Sequence, residues 1–306
     1  MFATDATPTL ARGPVRRILY RSAELRAGWR LLLFVGAVTC ITAAGNAAIR
    51  RWLGHADGDT LFLVSEIMDL VIIFAVSWAA GRIEGRSIAT YGLPARQMFG
   101  ARFWEGMGLG LAAITALLCA MRAAGVYRFG SIALNGRDAL RWAAIYGFVF
   151  LLVALREEFR ARGYLQYTLS GGLGFWPAAV FTSAFFGYSH HANVGEDWIG
   201  LFNAGAVGLL FCLLLRRSGN LWMPIGFHLA FDWGETYLYG VPNSGHVLPG
   251  HLLSGSSSGA WWLSGGTVGP EGSVLCTLLL IAVWCVCARW LPRAQYPQDT
   301  KAELHA

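Results

Sequence analysis

The stretch Ala154–Tyr167 reads ALREEFRARGYLQY. It lies in one of the most apolar parts of an apolar chain, yet Arg156, Glu157, Glu158, Arg160 and Arg162 fall within seven residues of one another. A charged side chain at the centre of a membrane-spanning helix costs at least ~2.5–3.5 kcal/mol. Five of them together need a reason, and a carboxylate pair with arginines one helical turn away marks a candidate functional site.

The surroundings say that this is a membrane setting. Of 306 residues, 55% are hydrophobic and only 14% charged, where soluble domains carry about a quarter charged residues. Mean hydropathy is +0.47. The fold expected is an all-α, polytopic membrane bundle of about eight transmembrane helices. The net charge of +6 is read as membrane orientation, with a lipid bilayer as partner and no nucleic acid. Cys40, Cys119, Cys212, Cys276, Cys285 and Cys287 all fall in apolar segments without a CxxC pair, as packing residues would. The first thirty residues lack the apolar core of a signal peptide.

Outward from the acidic stretch, the chain divides into a basic N-terminal segment (1–28), a transmembrane bundle (29–291) with a core at about 139–239, and a short polar tail (292–306). The spans expected are roughly 29–49, 60–80, 103–124, 139–170, 176–191, 198–215, 221–239 and 273–291. The fourth contains no proline, so it reads as one helix of about 48 Å that outruns the hydrocarbon core and breaks at Gly171–Gly174. With both termini cytoplasmic, fifteen Lys and Arg lie inside against six outside, leaving three in the acidic stretch. That orientation in the cell membrane is the localisation expected.

Three segments carry chemistry. Glu157-Glu158 with Arg162 form EExxxR, Phe186 and His190 form FxxxH, and His228 and Asp232 form HxxxD. Each i,i+4 pair shares a helix face. The midpoint of positions 157 and 190 falls within Gly171–Gly174, so a hairpin turning there would bring carboxylates and imidazole to one depth. A carboxylate and a histidine can deprotonate water and pass the proton to a leaving amine, and a second histidine can stabilise an oxyanion. Alternatively His190, His228, Glu158 and Asp232 could ligate Zn²⁺ with a position left for water, although no HExxH motif is present. Arg162 can keep Glu158 ionised. Phe186 is expected to pack, or to wall a substrate. Glu66 and Asp69 are read first as a polar contact between helices and second as part of a substrate cavity, His191 as structural, Glu271 with its Gly/Ser loop as an outer lid or plain loop rather than part of the chemistry, and His246 and His251 in that loop as having no ligand role.

EExxxR, FxxxH and HxxxD, in this order on separate apolar spans, resemble the CPBP family of CAAX prenyl proteases and bacteriocin-processing (Abi-type) membrane proteases. The likeness covers Ala139–Trp233, about a third of the chain, and the later run SGGTVGPEGS (264–273) resembles a tail of some bacterial members. It implies a bundle of about eight helices and an intramembrane endopeptidase acting on peptide or membrane-protein substrates. Catalysis would fall to Glu157, Glu158, His190, His228 and Asp232, supported by Arg162 and Phe186, with Zn²⁺ as the one cofactor in question. The third motif often ends in Asn where this chain has Asp232, and an ionised carboxylate cannot donate to an oxyanion. Asp232 therefore fits a metal ligand or an orienter of His228. Other readings of intramembrane charges are a transporter, for which the chain lacks visible inverted repeats, and an inactive immunity or scaffold protein, against which every motif slot is filled.

Overall fold

The computed structural model describes residues 19–21 and 24–297; the basic segment up to 18 and the end of the tail lie outside the described residues. The chain is almost wholly helical. In order come α1 (Ala27–Leu53), α2 (Gly58–Glu84), α3 (Ala101–Ala123), α4 (Gly136–Arg162), α5 (Tyr164–Leu173), α6 (Phe175–Ser189), α7 (Trp198–Ser218), α8 (Trp222–Trp233) and α9 (Val274–Trp290). A π-helical turn, Gly234–Leu238, prolongs α8.

Local chemistry sets several boundaries. Asp57 caps α2 by accepting from the Thr60 amide, Asp197 caps α7 through Ile199 and Gly200, and Ser273 caps α9 through Cys276. Gly85 and Gly219 end α2 and α7 in the left-handed conformation that glycine adopts without penalty.

The fourth span differs from its expectation. It does not run on to Gly171–Gly174 but breaks at Gly163, directly behind the acidic motif. A Cβ at Gly163 would lie 2.3 Å from the Phe159 carbonyl oxygen and 2.8 Å from its ring, so only glycine admits this bend. The ten-residue α5 follows and packs on α1 and α6, and the chain reverses at Gly174.

Five helical segments among the described residues are long and apolar enough to cross a membrane: Ala27–Leu53, Thr60–Glu84, Ala101–Ala123, Gly136–Leu173 (α4 and α5 taken together) and Trp198–Ser218. The eight expected segments are all helical, but α6, α8 and α9 have 15, 12 and 17 residues. The ~20 residues of a simple span are not reached. For α8 the reason is visible in its burial: nine of its twelve residues, Trp222–Phe227, Leu229, Ala230 and Asp232, are buried within the bundle rather than facing lipid.

The tightest packing sets α8 against α3. A Cβ at Gly106 would come 2.1 Å from the Met223 carbonyl oxygen, one at Gly110 2.2 Å from that of Phe227, and one at Gly226 2.1 Å from that of Phe103. The two backbones touch through glycine, the close approach that small residues four apart permit between membrane helices. On its other flank α8 packs on α4, while α6 pairs with α7 and α2 with α4. The four helices that carry the three motifs and the cavity wall are thereby fixed to one another.

The loops gather at two ends. At one, the Leu221 amide donates to Gly92, Gln295 to Arg216, and the Tyr296 hydroxyl to Thr90. At the other, Ser254 and Ala133 join the 240–272 loop to the α3–α4 connection, where the two-residue strands Tyr127–Arg128 and Ser256–Ser257 pair antiparallel. Gly245 bonds to Val268 there and lies against Val194.

Candidate active site

The acidic motif occupies the last two turns of α4. Neighbouring residues on a helix point about 100° apart, and Glu157 and Glu158 accordingly have different surroundings. Glu158 is fully buried. Its Oε1 accepts from Arg162 Nη1 at 3.2 Å and from His228 Nδ1 at 3.0 Å. Arg162, also fully buried, lies under aromatic rings, its guanidinium 4.3 Å from the centre of Phe186 and 5.6 Å from that of Phe211. Room for it comes from Gly208, where a Cβ would meet Nη2 at 2.5 Å. Phe186 is thus a lid on the arginine as well as part of the cavity wall.

Glu157 faces the other way, into a cavity of about 840 Å³ lined also by His190, His228, Asp232, Arg156, Arg160 and Phe186. Its Oε1 accepts from Arg156 Nη2 at 2.8 Å, and its Oε2 lies 3.9 Å from His228 Nε2. Arg156 in turn donates through Nε to Glu66 of α2 at 2.6 Å. Glu66 is therefore in contact with the motif helix, and Asp69 accepts from Thr42 of α1 at 3.3 Å.

Hydrogen bonds fix the histidine tautomers. His190 caps the C-terminal end of α6 and its Nδ1–H donates to the Phe186 carbonyl at 2.8 Å, which leaves the lone pair on Nε2. His228 donates Nδ1–H to Glu158, while its Nε2 lies 3.4 Å from Asp232 Oδ2. The Phe211 ring stacks on His228 at 5.5 Å.

The four candidate Zn²⁺ ligands do not form one donor set. Glu158 meets His228 on the Nδ1 side and Asp232 meets it on the Nε2 side, so no single ion on that imidazole reaches both. Among the described residues no group of three or more His, Cys, Asp or Glu is arranged to hold a metal ion.

Three features escaped the sequence reading. Glu158 does not line the cavity but stands behind His228. Arg156 links Glu66 to Glu157. The 240–272 loop, read as remote from the chemistry, supplies Asn243, Ser244, His246 and Glu271 to the cavity wall. The SGGTVGPEGS run was the one signal pointing there. His191, by contrast, stacks on Tyr188 and is exposed.

Residues 139–234 match the family model described as type II CAAX prenyl endopeptidase Rce1-like. The matched segment contains all three motifs and ends two residues after Asp232, so the resemblance carried by those motifs is the one the comparison finds. No curated protein and no solved structure matched the chain. At the level of that family, the match supports a CAAX-type membrane endopeptidase with a peptide or protein substrate.

Proposed function

We propose that this protein is an intramembrane endopeptidase that hydrolyses peptide bonds with water activated by Glu157 and His190. The observation that carries the reading is the meeting of Glu157, His190, His228 and Asp232, from three separate helices of the matched segment, on one cavity. Arg156 holds Glu157 through Oε1, and Glu157 Oε2 and the Nε2 lone pair of His190 are the two acceptors on the cavity wall to which the reading assigns the proton of the attacking water. His228 would stabilise the oxyanion. Its Nε2 lies 3.4 Å from Asp232 Oδ2, and a proton carried there is the one it would offer to the carbonyl oxygen of a substrate. Glu158, through Nδ1, holds that imidazole in orientation, as the buried carboxylate does in serine-protease triads.

The remaining walls suit the substrate class. On the α2–α4 side they are apolar, with Phe62, Leu63, Trp142, Ile145, Val149 and Val153. A membrane-embedded or lipid-modified chain could lie there while its scissile bond reaches Glu157. We further place the protein in the cell membrane with the Arg82–Arg102 end on the cytoplasmic side, as the positive-inside rule favours.

The test is cleavage of a quenched peptide by the purified full-length protein in lipid nanodiscs, after exhaustive chelation and with metal content measured on the same sample. Glu157→Gln is expected to lower turnover at least ~10³-fold while the protein remains folded. Retained turnover in that variant sinks the general-base assignment. Full activity without metal supports the water-activating pair alone, whereas loss on chelation and recovery with Zn²⁺ supports the metal-assisted version.

A further inference from the structure

The cavity has a second polar wall that the proposed hydrolysis does not use. Glu271, from the loop before α9, lines it beside Asn243, Ser244 and Glu196. The Glu271 carboxylate is held in place by Ser244, whose backbone N–H donates to it at 3.1 Å and whose hydroxyl donates at 3.1 and 3.2 Å. Glu235 stands behind it on the π turn, three residues past Asp232. Glu235 is fully buried, neither of its carboxyl oxygens has a hydrogen-bond partner, and Glu271 is the charged neighbour that acts on it most strongly. Among the described residues no Arg or Lys is paired with Glu196, Glu235 or Glu271. The arginines that neutralise Glu66, Glu157 and Glu158 have no counterpart here.

Two carboxyl groups held together in a low-dielectric wall call for a positive partner or a shared proton. A resident metal ion is not what this wall is arranged for, since the described residues hold no metal-ligating group of three. A cation that arrives with the substrate fits better. Glu271 opens on the same cavity as Glu157 and His228, and Glu235 follows Asp232 by three residues where α8 passes into the π turn.

We propose that Glu271, backed by Glu235, forms a specificity subsite for the ammonium or guanidinium of a Lys or Arg in the peptide substrate. That residue would lie about one to three positions from the bond hydrolysed, given ~3.3 Å per extended residue. The proposal rests on the endopeptidase reading for its substrate class, but its test is read by binding.

Fluorescent peptides carrying a single Lys, placed in turn at three positions on either side of the centre, are titrated against the full-length Glu157→Gln protein in nanodiscs. Each is compared with a twin bearing norleucine. At one position or more, the Lys peptide is expected to bind about tenfold tighter than its twin. Glu271→Gln is expected to bring the pair within about twofold, and Glu235→Gln to weaken the preference less, since it acts through Glu271. Size-exclusion profiles establish that each variant is folded. Should Glu271→Gln fail to fold, Glu271→Asp serves instead, where a shifted or weakened preference is expected. Equal binding of every Lys and norleucine pair overturns the subsite, as does a preference unchanged by substitution of Glu271. If the wild-type protein cleaves no peptide while the Glu271-dependent preference for Lys persists, the hydrolytic reading fails and the cation subsite stands.

Discussion

Without Arg162, Glu158 would be left fully buried with a single polar partner, His228. Removing one member of a buried ion pair typically costs about 3–5 kcal/mol. Arg162→Ala is therefore expected to lower unfolding stability by that order, measured by thermal or denaturant unfolding in detergent. Arg162→Lys should recover little, because an ammonium does not stack between the Phe186 and Phe211 rings as a guanidinium does. The double variant Glu158→Leu/Arg162→Met should regain most of the stability and remain inactive, since His228 loses its Nδ1 acceptor. An active double variant would show that Glu158 does not orient the histidine. Glu271 gives a second expectation at this scale. Burial, then the nearby Asp232 carboxylate, raises its pKa from 4.5 to about 7, with Glu196 adding to the rise and the Ser244 bonds opposing it. The folded state thus keeps a proton that the unfolded chain has released. This contribution to stability is complete below pH ~4.5 and is lost as the pH rises to about 7. Glu271→Gln should flatten that slope in a pH series of unfolding measurements, and an unchanged slope would remove Glu271 as its source. The residue types were legible in the sequence, since EExxxR, FxxxH and HxxxD are i,i+4 pairs that any helix presents on one face. What was not legible was the division of labour between Glu157 and Glu158. A 100° turn between neighbours decides it, and only the packing of α4 on α8 says which one meets the cavity.

At the scale of elements, α8 holds His228 and Asp232 at a depth and rotation fixed by α3. Gly106, Gly110 and Gly226 each leave no space for a Cβ, because the atom each would meet is a carbonyl oxygen of the opposite helix. A clash with backbone cannot be relieved by a rotamer change, so Gly110→Ala should force the helices apart. The expected cost is about 1–3 kcal/mol, with a loss of activity out of proportion to it. Gly108→Ala, on the same helix with open space around its Cβ position, is the control expected to change neither. Equal effects of the two would mean that the crossing does not set the site. The spacing of Gly106 and Gly110 was on view in the sequence as a small-xxx-small pattern, but its partner was not, since nothing in α3 alone names α8. The break at Gly163 was missed for a related reason. A lone glycine in an apolar helix is compatible with continuation, and here the deciding contact is with Phe159 carbonyl and ring atoms.

At the scale of the whole molecule, the loops sort into two ends, one holding Thr90, Gly92, Arg216 and Tyr296, the other Ser131, Val194, Gly245 and Ser254. The basic residues of Arg82–Arg102 and Arg216–Arg217 belong to the first. Single cysteines at Ala95 and Val247, both exposed, should therefore react with a membrane-impermeant maleimide from opposite sides, Val247→Cys in intact cells and Ala95→Cys only after lysis. Labelling of both from one side would break the topology. The all-α class and the membrane setting could be read from composition because the bilayer demands internally satisfied backbone. The number of full spans could not, because α8 is enclosed by its neighbours and need not match the bilayer by itself. The glycine-lined crossing of α3 and α8 bears on this last point. Helices adapt to thicker or thinner bilayers by tilting, each sliding a little on its neighbours through pliable side chains. Where two backbones meet directly that play is absent, so α3 and α8 respond to lipid thickness as one rigid body. His228 and Asp232 then travel with their support and keep their place against α3 in membranes of differing depth, while other helices take up the mismatch.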